Sequence, residues 1–380
     1  MVIPLDRTLK RLPLDLASGW ILNSSIQSEK GGFYAWYDSD KGEYPYLYSE
    51  ISGYGITALL FLSKLFGADE LIGRARMSAD WLIRTSLHPS GGVRTRLYKN
   101  DETADETYSF SAENIFSFDT GMVLNGMINL HGVTSEKRFL ETAGILAEFL
   151  IKNMQNRDGS LSAVYNAKKK TKIVLKDNKW SSQSGPFHAK VSMGLADLFE
   201  ITGNTRYKNA AIKICEYALT RQNESGRFIT DNESGTTNLH PHCYAAEGLL
   251  YAGRCFDIPD FIKSSGKAAE WIFSHISPRG INELYDPHTN AFNDLRRSDV
   301  LAQALRLGLL HSFDQGIEDL RAVLLEHQDN SDDKRRRGGF YYSLDRQDIN
   351  SWCTMFAVQA LAYYQHRRLM PNGKKAGLFI

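Results

Sequence analysis

Several acidic side chains stand at or just before the predicted starts of helices. Glu50 lies within the tyrosine-rich segment 44–54, Asp119 follows Phe118, and Asp299 follows two arginines. Glycosidic cleavage needs one carboxylic acid beside the leaving oxygen and a second carboxylate that activates water or attacks. We therefore predict Glu50, Asp119 and Asp299 as catalytic carboxylates. Each has a structural alternative, because an acidic residue also caps a helix N-terminus and complements its dipole.

The densest group of functional side chains is the segment His240-Pro241-His242-Cys243-Tyr244-Ala245-Ala246-Glu247. We predict His242 as a catalytic acid or base, and His240 and Glu247 as substrate-binding residues. The H-E-x-x-H spacing of zinc sites is absent and no cysteine pair assists, so no metal is predicted. No phosphate- or dinucleotide-binding motif is present, and no cofactor is predicted.

Other side chains near the same helix starts are predicted to contact a sugar. Aromatic faces stack on sugar rings, and phenol hydroxyls and cations reach their polar groups. Core packing or ion pairing is the alternative for each of these residues. They are Tyr48, Tyr54, His188, Lys190, Arg296, Arg297 and Trp352.

The elements that must position these residues recur along the chain. Glycine-centred turns occur six times, roughly every 60 residues, and a period of this kind marks a repeat architecture. The turns are Gly31-Gly32, Gly91-Gly92, Asp158-Gly159, Ser225-Gly226, Arg279-Gly280 and Gly338-Gly339. Two stretches with helical apolar spacing lie between consecutive turns, so each repeat is predicted to be a helical hairpin.

Two helices remain without a partner in this count, Leu14 to Gln27 and Asp348 to Arg367. Pairing them closes the repeat into a ring. The predicted fold is all-α, an (α/α)6 toroid that forms a single domain over residues 1–380, because no hairpin buries its apolar faces alone. Inner-helix N-termini then share one face of the ring, where their positive dipole ends favour an anionic sugar.

The amino-acid composition limits the classes of partner that the chain is expected to bind. The chain has 45 basic and 44 acidic residues among 380. Such a balanced charge does not favour nucleic acid or an anionic membrane surface as a partner. No long apolar run or leader pattern is seen, and the four cysteines are scattered, so we predict a cytoplasmic protein whose partner is an oligosaccharide or polysaccharide. The sequence does not indicate an oligomeric state.

Four segments carry a resemblance to a known family: Tyr48-Ser49-Glu50-Ile51-Ser52-Gly53-Tyr54, Phe118-Asp119-Thr120-Gly121, the segment from His240 to Leu250, and Asn350-Ser351-Trp352-Cys353-Thr354-Met355-Phe356-Ala357. The chain resembles the VpsJ-like proteins associated with bacterial surface-polysaccharide genes, in the six-hairpin glycosidase-like superfamily. This resemblance implies a carbohydrate ligand. More distantly, the chain is similar to unsaturated glucuronyl hydrolases, whose acid–base Asp also starts an inner helix, and to glucuronyl C5-epimerase toroid domains.

Three functions remain open at this point. The first is a glycoside hydrolase that uses paired carboxylates on an acidic surface or exopolysaccharide glycan. The second is a uronic-acid epimerase or polysaccharide lyase with a histidine or tyrosine base, such as His242 or Tyr48. The third is a non-catalytic glycan-binding protein of polysaccharide biosynthesis. Toroids host all three, so the fold does not choose among them.

Overall fold

Six helical hairpins form a closed ring in the computed structural model, which describes residues 12–99, 104–177, 179–371 and 378–380. Over these residues the chain forms twelve α-helices: α1 (Pro13–Asn23), α2 (Ser49–Phe66), α3 (Glu70–Trp81), α4 (Ser117–Thr134), α5 (Lys137–Phe149), α6 (Ser192–Thr202), α7 (Thr205–Leu219), α8 (Leu239–Phe256), α9 (Pro259–Phe273), α10 (Ser298–Leu310), α11 (Ile317–Glu326) and α12 (Ser351–Gln365). A 3-10 segment, Pro186–Val191, leads into α6.

The inner layer consists of the even-numbered helices. Each packs on the next around the ring, and α12 packs on both α2 and the outer helix α1. Inner helices are buried on nearly all sides, as α2 and α8 show, which is expected of a helix enclosed by other helices. The predicted (α/α)6 toroid is confirmed. Its closing helices are shorter than the predicted 14–27 and 348–367, and the single domain over 1–380 stays a prediction.

The turn glycines hold the hairpins together. All six adopt a positive φ: Gly31, Gly91, Gly159, Gly226, Gly280 and Gly338. Only glycine takes this conformation without strain. At Gly31 a Cβ would also collide with the backbone of Met77 in α3, and at Gly338 with that of Leu16 in α1. Each turn therefore contacts an outer helix directly. The Gly338 turn closes the ring because the helix that it contacts is α1.

At four of these turns, a glutamine side chain forms hydrogen bonds to both the turn and the outer helix that it contacts. Its side-chain amide donates to the carbonyl of the turn glycine and to a carbonyl of the neighbouring outer helix. Gln328, for example, donates to Gly338 O at 3.1 Å and to Pro13 O at 2.8 Å. The glutamines that bridge in this way are Gln27, Gln155, Gln222 and Gln328. These buried carbonyl groups thus find the partners that burial requires.

Short strands cover the end of the ring where the inner helices begin. They are β1 (Trp36–Tyr37), β2 (Tyr46–Tyr48), β3 (Arg96–Tyr98), β4 (Asn114–Phe116), β5 (Val164–Asn166), β6 (Thr171–Ile173), β7 (Thr237–Asn238), β8 (Leu284–Asp286), β9 (Ala291–Phe292), β10 (Phe340–Tyr341) and β11 (Ile349–Asn350). They pair antiparallel in the orders β1-β11-β10, β2-β3, β4-β5-β6 and β7-β8-β9. Strands β2, β4, β7 and β11 run directly into inner helices. These strands are not among the elements predicted from the sequence.

We expect Gly338→Ala to destabilise the ring far more than Gly67→Ala. Both glycines have a positive φ, but a Cβ at Gly67 meets nothing within 4 Å, whereas one at Gly338 collides with the α1 backbone. Gly67→Ala should therefore cost about 1 kcal/mol, the strain of a left-handed alanine. Gly338→Ala should cost at least about 3 kcal/mol, because the closing contact must shift as well. Urea unfolding of both variants measures the difference, and equal losses would contradict it.

Candidate active site

Second residues of five inner helices converge where those helices begin. They are Glu50, Phe118, His240, Asp299 and Trp352. One helical turn further on, the sixth residues lie beneath them, because residues four apart share a helix face. The Tyr54 hydroxyl donates to Tyr244 Oη at 2.9 Å, which joins α2 to α8, and Phe356 of α12 packs on both rings. We call the space bounded by these two layers the funnel.

Glu50 and Asp119 form a carboxylate pair on the neighbouring helices α2 and α4. Glu50 is half-buried and accepts a hydrogen bond from the Tyr48 hydroxyl. Asp119 is 4% exposed, and the Thr95 hydroxyl, which donates to Asn114 O at 3.5 Å, lies beside it. The Asp119 Oδ2 atom has no hydrogen-bond partner among the described residues. A buried polar atom normally has a partner, so this oxygen retains an unused hydrogen-bonding capacity.

The two carboxylates favour protonation. Burial raises the pKa of Glu50 to about 7, against the opposing effects of the Tyr48 hydrogen bond and the Arg96 charge. Burial, and then the charge of Glu50, raise the pKa of Asp119 well above its usual value. Both shifts favour the protonated acids, and the charge of one ionised carboxylate disfavours ionisation of the other. Such a pair can donate a proton from one member while the other acts as a base.

Arg96 supplies positive charge beside this pair. It lies on β3 opposite Tyr48 of β2, and its guanidinium stands 4.1 Å from the ring centroid of Tyr108 and 5.2 Å from that of Tyr48. Its Nε atom is buried and has no hydrogen-bond partner among the described residues. The sequence analysis misses Arg96, because its approach to Glu50 depends on pairing between β2 and β3.

Asp299, predicted as a catalytic carboxylate, is held by an ion pair and by hydrogen bonds. Its side chain is fully buried, and it accepts from Arg297 Nη2 at 2.5 Å, Arg297 Nε at 3.1 Å and Trp352 Nε1 at 3.0 Å. Burial opposes its ionisation, but Arg297 and His240 hold the pKa of Asp299 below its usual value. Asp299 is therefore an ionised anchor that positions Arg297 and Trp352 at the funnel.

His240 is the imidazole that faces the funnel. Its Nδ1 lies 2.6 Å from Gln303 Oε1 and 3.3 Å from Asp299 Oδ2, and its ring packs on Tyr244 with centroids 4.3 Å apart. Burial lowers the pKa of His240 to about 4, with Asp299 opposing. Two acceptors at Nδ1 assign the proton of the neutral ring to that atom, which leaves Nε2 as a hydrogen-bond acceptor.

His242 does not lie in the funnel, contrary to the prediction. It is fully buried between α8 and α9, where its Nδ1 accepts from the Phe228 N–H at 3.2 Å and its Nε2 donates to Ala268 O at 3.2 Å. It is the fourth residue of its helix. Fourth residues of other inner helices accept from the same turn position: Ser52, Thr120 and Thr354. His242 therefore fixes the turn to its helix.

Three predicted substrate-binding residues are also buried away from the funnel surface. His188 Nε2 lies 2.9 Å from the Ser117 hydroxyl, and burial lowers the pKa of His188 to about 3, so it is a neutral structural side chain. Lys190 donates to Glu247 at 2.7 Å, and both have no exposed surface. Glu247 also pairs with Arg306, so all three charged groups are engaged with one another inside the ring rather than offered to a substrate.

The remaining predicted residues lie at or near the funnel. Tyr48 and Trp352 are half-buried at its wall, and Tyr54 forms its floor. Arg297 pairs with Glu283 at 3.0 Å as well as with Asp299. Arg296 donates to Asn282 at 3.0 Å. Five further residues of the funnel wall are not predicted from the sequence: Phe118, Trp180, Tyr244, Gln303 and Phe356. Some of them could have been identified by their helical spacing from Glu50, His240 and Trp352.

Among the described residues, no group of three or more histidine, cysteine, aspartate or glutamate side chains is arranged to hold a metal ion. No described helix combines the length and the apolar character needed to cross a membrane.

Comparison with known proteins finds similarity in structure alone. No protein-family model and no curated protein sequence matches the chain. A sugar epimerase from a ruminal bacterium aligns with a TM-score of 0.70 and 14% identity, over 89% of this chain and 95% of that one. Cellobiose 2-epimerase from Bacillus thermoamylovorans aligns with a TM-score of 0.71 and 12% identity, over 90% and 94%.

An unsaturated glucuronyl hydrolase from a Bacillus species, described as responsible for glycosaminoglycan degradation, is also similar. Its TM-score is 0.67 at 13% identity, over 93% of this chain and 96% of that one. At such identities the likeness shows the toroid fold, which agrees with the predicted superfamily. The VpsJ-like assignment stays a prediction.

We expect Glu50→Gln to weaken the pH dependence of stability. Folded Glu50 keeps its proton up to a pKa of about 7, whereas an unperturbed glutamic acid loses it near 4.5. The folded chain therefore binds more protons than the unfolded chain between these pH values, and its free energy of unfolding falls as pH rises through that window. The substitution should remove a part of this fall on the order of 1 kcal/mol.

Urea unfolding at pH 4.5, 6 and 8 tests this expectation. Glu136→Gln serves as the control, because hydrogen bonding to Arg76 lowers the pKa of Glu136, so that removing its charge should not flatten the fall. A Glu50→Gln chain with the same pH dependence as the unsubstituted chain would show that Glu50 titrates normally.

Proposed function

We propose that this chain is a carbohydrate-active enzyme that hydrolyses a glycosidic bond with the Glu50–Asp119 pair, on a glycan that contains a uronic acid. The observation that carries the proposal is the pair itself. Its two carboxylates lie on adjacent inner helices at the open end of the ring, and both favour protonation. Arginine, tyrosine and tryptophan side chains surround them, which suits a sugar with an acidic substituent.

In the proposed reaction, Asp119 is the acid and Glu50 the base. Asp119 transfers its proton from Oδ2 to the glycosidic oxygen as the bond between that oxygen and the anomeric carbon breaks. Water adds to the anomeric carbon and gives its proton to Glu50. We assign the acid to Asp119 because both burial and the charge of Glu50 raise its pKa, whereas the Tyr48 hydroxyl and Arg96 oppose the effect of burial on Glu50. A proton returning from Glu50 to Asp119 restores the pair.

A preference for an acidic sugar rests mainly on Arg96. Three other cations are predicted near the site from the sequence. Lys190 is paired with Glu247 and Arg297 with Asp299 and Glu283, while Arg296 donates to Asn282. The Arg96 guanidinium stacks on the ring of Tyr108, and the Lys179 ammonium stands 4.4 Å from the centroid of the same ring. A sugar carboxylate at this position would meet a guanidinium that has an open donor.

Fold similarity adds only general support. Solved structures with this fold include a sugar epimerase, a cellobiose 2-epimerase and an unsaturated glucuronyl hydrolase. All are carbohydrate enzymes, so a saccharide substrate agrees with them. The assignment of hydrolysis rests on the carboxylate pair and not on the fold.

We expect Asp119→Asn and Glu50→Gln each to lower kcat/KM by about 10²- to 10⁴-fold, the usual contribution of a general acid or base. Release of reducing sugar from uronic-acid-containing disaccharides measures the effect. The unsubstituted chain should show a bell-shaped pH profile, because protonating Glu50 removes the base below its pKa of about 7 and ionising Asp119 removes the acid at higher pH.

Asp197→Asn is the matched control for these variants. Burial raises the pKa of Asp197 to about 7 as well, but it accepts from Tyr251 in the second half of α8, away from the funnel. The Asp197→Asn substitution should change kcat/KM by less than about threefold. Equal losses in all three variants would mean that neutralising a buried acid damages the fold, and active Asp119→Asn and Glu50→Gln chains would refute the proposed roles.

We expect Arg96→Met to discriminate between acidic and neutral substrates. Methionine keeps much of the apolar contact with Tyr108 but removes the charge, so activity on a uronic-acid disaccharide should fall at least about tenfold more than on its neutral counterpart. Kinetics on such a matched pair of substrates measures the ratio. A uniform loss on both substrates would assign Arg96 to the tuning of Glu50 instead of to substrate recognition.

His240 supports a second candidate, epimerisation by proton abstraction from a sugar carbon. Its ring is neutral, its Nδ1–H is held by Gln303 and Asp299, and Nε2 faces the funnel as an acceptor. Incubation in heavy water separates the two reactions. An epimerase would exchange a carbon-bound proton of the sugar for deuterium and lose this exchange in His240→Gln, whereas the proposed hydrolase would release a reducing end without exchange. Binding with neither reaction would favour the glycan-binding alternative.

A further inference from the structure

The segment Leu378–Ile380 lies inside the ring, beneath the funnel. Phe379 is 3% exposed and Ile380 is fully buried. Side chains of the ring bind its main chain at four groups. Gln359 Nε2 donates to Leu378 O at 2.7 Å, and Gln359 Oε1 accepts from the Ile380 N–H at 3.1 Å. Asn125 donates to Phe379 O at 3.3 Å, and Lys190 and Arg306 each donate to Ile380 O at 2.9 Å.

These side chains come from separate parts of the inner layer. Asn125, Arg306 and Gln359 are the ninth residues of α4, α10 and α12, and Lys190 belongs to the segment that precedes α6. All four are at least nine-tenths buried. Without the segment, amide and cationic groups at this depth would lack several of their hydrogen bonds, which is unfavourable for buried polar groups.

The side chain of Phe379 completes the contact. The Arg306 guanidinium stands 4.7 Å from its ring centroid and the Lys190 ammonium 5.7 Å, both within the range of cation–π attraction. Apolar residues of the core surround Phe379 and Ile380. The site therefore offers hydrogen bonds to a peptide main chain and apolar or cation–π contacts to its side chains.

We propose that the centre of the ring, below the Tyr54–Tyr244 floor, is a binding site for an extended apolar peptide segment, and that residues Leu378–Ile380 of this chain occupy it. We name Asn125, Lys190, Arg306 and Gln359 the peptide clamp. Among the described residues, the bound segment fills the ring under the funnel, on the side away from the starts of the inner helices. This inference does not depend on the reaction proposed above.

Amide hydrogen exchange at Ile380 tests the clamp directly. In the intact protein this amide should exchange at least about 100-fold more slowly than in an unstructured peptide, because its N–H is buried and bonded to Gln359. Gln359→Ala should make it exchange at least about tenfold faster. Thr57→Ala is the matched control, since Thr57 is the buried ninth residue of α2 and bonds Asn129 of α4 instead.

A second variant keeps the test decisive if Gln359→Ala fails to fold. Phe379→Ala should also speed exchange at Ile380, and an added peptide, acetyl-Leu-Phe-Ile, should raise the Tm of a chain that lacks residues 378–380 more than acetyl-Leu-Ala-Ile does. Exchange of Ile380 at the unstructured rate in the intact chain would overturn the proposal. So would equal exchange in the Gln359→Ala, Phe379→Ala and Thr57→Ala chains.

Discussion

The ring depends on the contact between the glycine turns and the outer helices, which at four of the six turns is a contact with helix backbone. A hairpin with an apolar inner helix cannot bury that helix alone, so neighbouring units must approach closely. The turn achieves this with a left-handed glycine, where a Cβ would collide with helix backbone at Gly31, Gly159, Gly226 and Gly338. Glutamine bridges then satisfy the carbonyls that the contact buries. Closure follows because the sixth turn meets α1 as the others meet their own outer helices.

Once the turns fix where each inner helix begins, helical geometry decides which side chains face the centre. Second and sixth residues form the funnel, and ninth residues of three helices form the peptide clamp. His240 and His242 illustrate how strict this rule is, because two residues differ by about 200° around a helix. One therefore faces the funnel while the other accepts the Phe228 N–H behind it. Loops before these helices fold into strands that bring further side chains, such as Arg96, over the same opening.

Much of this arrangement could be predicted from the sequence, for physical reasons that also set its limit. The glycine period and the apolar spacing indicate the ring and its closure, since both are local signals. Proximity to a helix start correctly brings Glu50 and Asp119 to one opening, but it is too coarse for His242, whose direction around the helix matters more. Arg96 and the segment Leu378–Ile380 reach their places through strand pairing and through the ring's interior. Such long-range contacts leave no periodic mark in the sequence.

The pKa values of the buried carboxyls shift in opposite directions on the two sides of the funnel, and this difference supports an assignment of roles. Asp299 is bonded to Arg297 through both oxygens, so the ion pair outweighs burial and lowers its pKa. For Glu50 and Asp119 the charge of Arg96 opposes the effect of burial without outweighing it, so the pKa values of both carboxyls are raised. A folded chain gains nothing in stability from two such acids. Environments that push carboxylate pKa values apart are typical of acid–base sites, and here the divergence separates an anchoring anion from a proton-exchanging pair.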